Sequence, residues 1–128
     1  MTIEDLLWAA VEKMVYITRE QYLASLAGWS IHPHAVDGEI VGAVLTKGPE
    51  LHFCTFGRPW RLTRADIRRY LEPILTEHGR VETKTPKDDA RQLRFNKILG
   101  FVETGADEFF VHLTLRRLPF SKDTPCLL

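Results

Sequence analysis

Behind Thr2 and Asp5, the residues Leu6, Leu7, Ala10, Val11 and Met14 recur at intervals of three and four, which predicts an amphipathic helix opened by a capping box. A second box, Thr18 with Gln21, opens another helix carrying Tyr22, Leu23 and Leu26 and closing at Gly28. The period then changes. "WSIHPHAV", "EIVGAVLT" and "LHFCTF" are separated by Asp37-Gly38 and Lys47-Gly48-Pro49, and they predict a three-strand meander. Thr63 and Asp66 box a third helix with Ile67, Leu71, Ile74 and Leu75 as its buried stripe. Pro73 inside it removes a backbone donor and is expected to kink or shorten it. "RVETKT" predicts a short strand, and a fourth helix starts at Asp88 or Asp89 and ends at Gly100. "FVET" and "EFFVHLTL", split by a turn around Gly105, complete the order. Two helices, three strands, helix, strand, helix and two strands make an α+β fold. Its sheet is mixed, largely antiparallel and flanked by helices.

The 128 residues, 45% hydrophobic, suit one domain, expected over residues 1–118 with an aperiodic tail at 119–128. Seventeen basic residues balance seventeen acidic ones, so no overall field favours nucleic acid or an anionic membrane. The balance is uneven along the chain. Residues 1–56 carry three Lys/Arg against seven Asp/Glu and residues 57–128 carry fourteen against ten, which gives −4 followed by +4. No apolar run reaches the ~20 residues of a membrane span. "MTIEDLLWAA" is unlike a signal peptide, and "PCLL" places Cys126 third from the end, wrong for a prenylation box. Cys54 and Cys126 lie far apart, which fits a reducing, cytosolic-type compartment.

"RFNKILGF", Arg94 to Phe101, resembles the end of the fourth helix of the GNAT acyltransferases, where a glycine stop precedes the next strand. Phe95, Ile98 and Leu99 are expected to bury one face, with Gly100 as left-handed cap and Phe101 in the core. The element order over residues 1–116 is similar as well, except that the family's first strand has no counterpart. The resemblance implies an acetyl-CoA pyrophosphate site on a glycine-rich loop opening the third helix, and a V-shaped gap for pantetheine between the family's fourth and fifth strands. In this sequence the loop position reads "RPWRLTRA", so Arg61 and Thr63 stand where small residues belong. Asn96 stands where many members carry a tyrosine that protonates the CoA thiolate. An amide cannot do so. "CTFGRPWRLTRADIRRYLEPI" together with "RFNKILGFV" resembles GNAT-like internal-virion and head-assembly proteins of short-tailed bacteriophages, which also lack the glycine loop.

"GRPWRLTRADIRRYL" holds five arginines within twelve positions. Cations at a helix N-terminus oppose its dipole, so they call for something negative. Arg58, Trp60, Arg61, Arg64 and Arg68 are therefore the expected partner-binding surface, the partners being other phage virion proteins in the virion or host cytoplasm. Arg58, Arg61 and Arg64 would instead hold a pyrophosphate if an acyl-CoA binds. Solvated or internally paired arginines, and a Trp60 packed beneath the helix, are the alternatives. His32 with His34, and His52 with Cys54, lack the spacing of a zinc site, so no metal is expected. Glu50 or His52 could serve as a general base, since family bases often come from this part of the sheet; Asn96 is the remaining catalytic candidate. The leading expectation is a phage assembly protein with no cofactor. The alternative is an acetyl-CoA-dependent N-acetyltransferase.

Overall fold

The computed structural model describes residues 2–12, 17–56 and 62–118. Arg58, Trp60, Arg61, Met14 and the tail 119–128 fall outside that set. Helices α1 (Ile3–Val11) and α2 (Arg19–Ser25) come first, followed by strands β1 (Ser30–Val36), β2 (Glu39–Lys47) and β3 (Glu50–Thr55). Then come α3 (Arg64–His78), β4 (Val81–Pro86), α4 (Ala90–Ile98), β5 (Val102–Ala106) and β6 (Phe110–Leu115). Hydrogen bonding orders the strands β1-β2-β3-β4-β6-β5, a mixed and mostly antiparallel sheet in an α+β domain, as the hydrophobic pattern predicts. No described helix is long and apolar enough to cross a membrane.

Local chemistry explains the boundaries. Thr2, Thr18 and Thr63 each form a reciprocal capping box with the residue three positions on, so three of the four described helix starts are fixed by two side-chain bonds apiece. Asp37 and Gly38 both adopt positive φ (52° and 81°), the conformation that a primed two-residue hairpin demands and that Asp-Gly supplies cheaply.

Backbone packing resolves two compact units, Met1–Lys47 with His52–Trp60, and Gly48–Leu51 with Arg61–Leu128. In the first, α1 and α2 lie on the β1–β2 hairpin around buried Leu7, Ala43 and Leu45, with Tyr22, Trp29, Cys54 and Phe56 at the margin. In the second, β4 makes six antiparallel register pairs with β6, and β6 pairs with β5. The start of β3 joins this unit through one parallel register pair, Glu50↔Glu82, beside a bond from Glu82 N–H to the Pro49 carbonyl at 2.7 Å. Its core holds Ile67, Leu71, Val81, Leu99, Phe101, Leu113 and Leu115, each at most 3% exposed.

Three expectations are corrected. Pro73 does not shorten its helix. α3 runs fifteen residues to His78, held by the burial of Tyr70, Leu71 and Ile74 on either side of the proline, and Gly79 caps it. Ile98 is 50% exposed rather than buried, because α4 turns Asn96 and Leu99 inward and carries Ile98 round to the rim. Gly105 does not form the last turn; it lies within β5 at a bulge, and the reversal follows at Asp107. Gly100 does take positive φ (103°), and Phe101 behind it is 3% exposed, as the Gly-Phe stop predicts.

Candidate functional site

Strand alternation builds the site. On β4, Val81, Thr83 and Thr85 are buried, and Glu82 and Lys84 point to the opposite face. The register places Glu82 beside Thr114 of β6 and Glu50 of β3, and Lys84 beside His112. Glu50, Glu82 and Thr114 therefore form one cross-strand row, and Lys84 and His112 form the next row on the same face. The bulge in β5 brings Thr104 Oγ1 to 3.4 Å from both Thr114 Oγ1 and the His112 carbonyl oxygen. These six residues line a cleft of about 260 Å³ within the second unit.

Two carboxylates in and beside the cleft are paired. Arg80 Nε donates to Glu82 Oε1 at 2.8 Å. At the far end, Asp107 is pinned by its own turn. Its Oδ1 accepts the backbone N–H of Phe109 (2.9 Å) and of Phe110 (2.8 Å), and Oδ2 faces His112 Nε2 at 2.8 Å. The side-chain bond from His112, with the two backbone bonds behind it, holds the Asp107 carboxyl down at about 2. Asp107 is then an anion that only accepts, so Nε2 bears the hydrogen and Nδ1 of a neutral His112 carries the lone pair.

The residues expected from the sequence fall in different places. Glu50 lines the cleft. His52 lies in the first unit, its ring 5.4 Å from that of Trp29 at 54°, with Lys47 Nζ 5.8 Å from the centroid of the Trp29 ring. Asn96 is 2% exposed and works in packing, donating from Nδ2 to Thr85 Oγ1 at 2.8 Å and accepting from Gln92 Nε2 at 3.1 Å. Arg58, Trp60 and Arg61 are outside the described residues. Arg64 is the half-buried first residue of α3. Arg68 sits 3.7 Å from Glu72, and Arg69 lies over the Tyr70 ring at 4.7 Å and donates to its hydroxyl at 2.8 Å. Among the described residues no group of three or more His, Cys, Asp or Glu is arranged to hold a metal ion.

Sequence reasoning missed Asp107 and His112. The signal was Asp-x4-His across a reversal, and it becomes readable only once the turn is placed at Asp107 instead of Gly105.

Solved structures with the same architecture follow. Ard1 from Thermoplasma volcanium matches 92% of this chain and 92% of its own at a TM-score of 0.57 and 18% identity. Aminoglycoside 6'-acetyltransferase type Ii matches 93% and 90% at a TM-score of 0.62 and 17% identity. The ribosomal-protein-S18-alanine N-acetyltransferase from Escherichia coli matches 98% and 96% at a TM-score of 0.62 and 14% identity. The chain has the GNAT fold. No protein-family model matches the sequence, and no curated protein is significantly similar to it. The comparison overturns the expectation of a phage head-assembly protein working without a cofactor. The GNAT structures matched here are N-acetyltransferases, and none of these three is a virion protein.

Proposed function

We propose that this chain is an N-acyltransferase that moves an acetyl group from acetyl-CoA to an amine. The observation that carries this reading is the match of at least 92% of the chain to solved acetyltransferases. Local geometry supports it. Among the described residues, β4 makes one register pair with β3, Glu50↔Glu82, and six with β6.

The donor groups at the start of α3 fit the anionic end of the donor substrate in one respect and not in another. The capping box commits the Asp66 N–H to Thr63 Oγ1 and sets the Asp66 carboxylate on the same turn, so the backbone is a poor phosphate cradle. Arg64 heads that helix, and with Arg58 and Arg61 it supplies guanidinium forks suited to a pyrophosphate. The grip is thus assigned to side chains. Acetyl-CoA supplies an activated thioester; the cleft offers two carboxylates, an imidazole and hydroxyls that can hold an amine and receive its proton.

Calorimetry with acetyl-CoA tests this. Micromolar binding is expected, weakened about tenfold or more in Arg61→Ala with Arg64→Ala. No heat at millimolar acetyl-CoA would sink the reading.

A further inference from the structure

We infer that His112, oriented by Asp107, is the general base that takes the proton from the acceptor amine. This rests on the acyltransferase reading above and names a residue for its chemistry. Three observations converge. First, the imidazole lines the 260 Å³ cleft alongside Glu50, Glu82, Lys84, Thr104 and Thr114. Second, its tautomer is set from outside the cleft. Asp107 is clamped through Oδ1 by the Phe109 and Phe110 N–H groups, which leaves Oδ2 to take the Nε2 hydrogen. Third, the pair is tied to the sheet. His112 is in register with Lys84 of β4 and Gly105 of β5, and Thr104 Oγ1 reaches its carbonyl oxygen at 3.4 Å.

This is the arrangement a base requires: an acceptor-only partner holds one ring nitrogen, and the other carries the lone pair. Imidazole suits the task near neutral pH better than a carboxylate, because its ordinary range lies there. Of the two cleft carboxylates, Glu82 is bound by Arg80, and Glu50 is its cross-strand neighbour, placed to attract the incoming ammonium. Among the described residues, Asp107 from the turn bonds His112 and Lys84 from β4 stands opposite it in register; Glu82 and Glu50 line the same cleft one row away, and β5 adds the Thr104 hydroxyl.

An acceptor that arrives as its ammonium gives one proton to solvent, and Nδ1 of His112 accepts the second, lost when the neutral amine nitrogen bonds the thioester carbonyl carbon. The carbon–sulfur bond breaks, the electron pair leaves on sulfur, and the thiolate is protonated by solvent or by the imidazolium. Asp107 stabilises the imidazolium and is a positioning residue.

Release of free CoA is measured with three amines as probes: an alanine-initiated tripeptide, spermidine and kanamycin. Alongside it, acetyl-CoA binding is followed by calorimetry, and the His112 tautomer by nitrogen-15 NMR of the ring. His112→Gln is expected to lower kcat about a hundredfold at pH 7 with the acetyl-CoA Kd unchanged. Asp107→Asn is expected to lower kcat about tenfold with the acetyl-CoA Kd unchanged, since the ring loses the acceptor that fixes its tautomer. The ring signal should show Nε2–H in the wild type and a mixture of tautomers in Asp107→Asn. A His112→Gln enzyme within twofold of wild type overturns the proposal, as does an Nδ1–H tautomer or turnover of none of the three amines by protein that binds acetyl-CoA. Failure to bind acetyl-CoA at all overturns the acyltransferase reading itself, so the two failures are distinguishable.

Discussion

Asn96 on α4 donates from its amide to Thr85 Oγ1 on β4 at 2.8 Å, and both residues are at most 2% exposed. This bond fastens the helix to the sheet at the position where the acyltransferase fold would have placed a proton donor. Buried polar groups contribute little when satisfied and cost much when one partner is removed. Asn96→Ala is therefore expected to lose about 2–3 kcal/mol, because the Thr85 hydroxyl stays buried without its donor. Urea unfolding of Asn96→Ala, and of Asn96→Ala with Thr85→Val, checks it. The double variant should recover part of the loss.

The same residue shows how far the sequence could be read. Reciprocal boxes at Thr2, Thr18 and Thr63, the Asp37-Gly38 turn and the Gly100-Phe101 stop are local chemistry, and each was legible within a few residues. Asn96 looked like a lost catalytic residue because its contact, eleven positions away, depends on how α4 settles on β4. Glu50 was within reach because it directly precedes the predicted strand "LHFCTF". Asp107 and His112 were hidden by a β5 bulge that moved the turn two residues beyond Gly105, and bulges leave a weak imprint on hydrophobic alternation.

The capping box of α3 gives a stability prediction with a functional edge. Thr63 Oγ1 accepts the Asp66 N–H at 3.1 Å, and Asp66 Oδ2 accepts the Thr63 N–H at 3.0 Å. Thr63→Ala is expected to cost about 1 kcal/mol. Asp66→Asn keeps most of the box and removes the negative charge that faces Arg69 at 3.4 Å in the first turn of α3, so it should tighten acetyl-CoA binding a few-fold. Thermal unfolding and calorimetry on the two variants separate these effects.

Cys54 borders the apolar cluster of the first unit, and burial pushes its thiol up to about 11 from 9.0. The neighbouring Tyr22 is pushed up to about 12, chiefly by burial and then by a charge on Cys54. The thiolate is the nucleophile. At pH 8 the thiolate fraction is roughly a hundredfold below that of a free cysteine, and reaction with a disulfide reagent should slow accordingly. The rate in a Cys126→Ser background, native against urea-unfolded, measures it.

Asp107 sets an acid limit for the second unit. Its carboxyl is held at about 2 in the folded chain against an ordinary 3.8. A depressed carboxyl stabilises the fold above its unfolded value, and the contribution is lost as pH falls through the folded one. The stability difference between wild type and Asp107→Asn should thus be flat above about pH 5 and shrink between about pH 4 and pH 2. The pair is solvent-exposed, so added salt should shrink the plateau as well. Urea midpoints from pH 2 to 6 at two ionic strengths give the answer, and a difference that grows toward pH 2 would show that Asp107 is not held as an anion by His112.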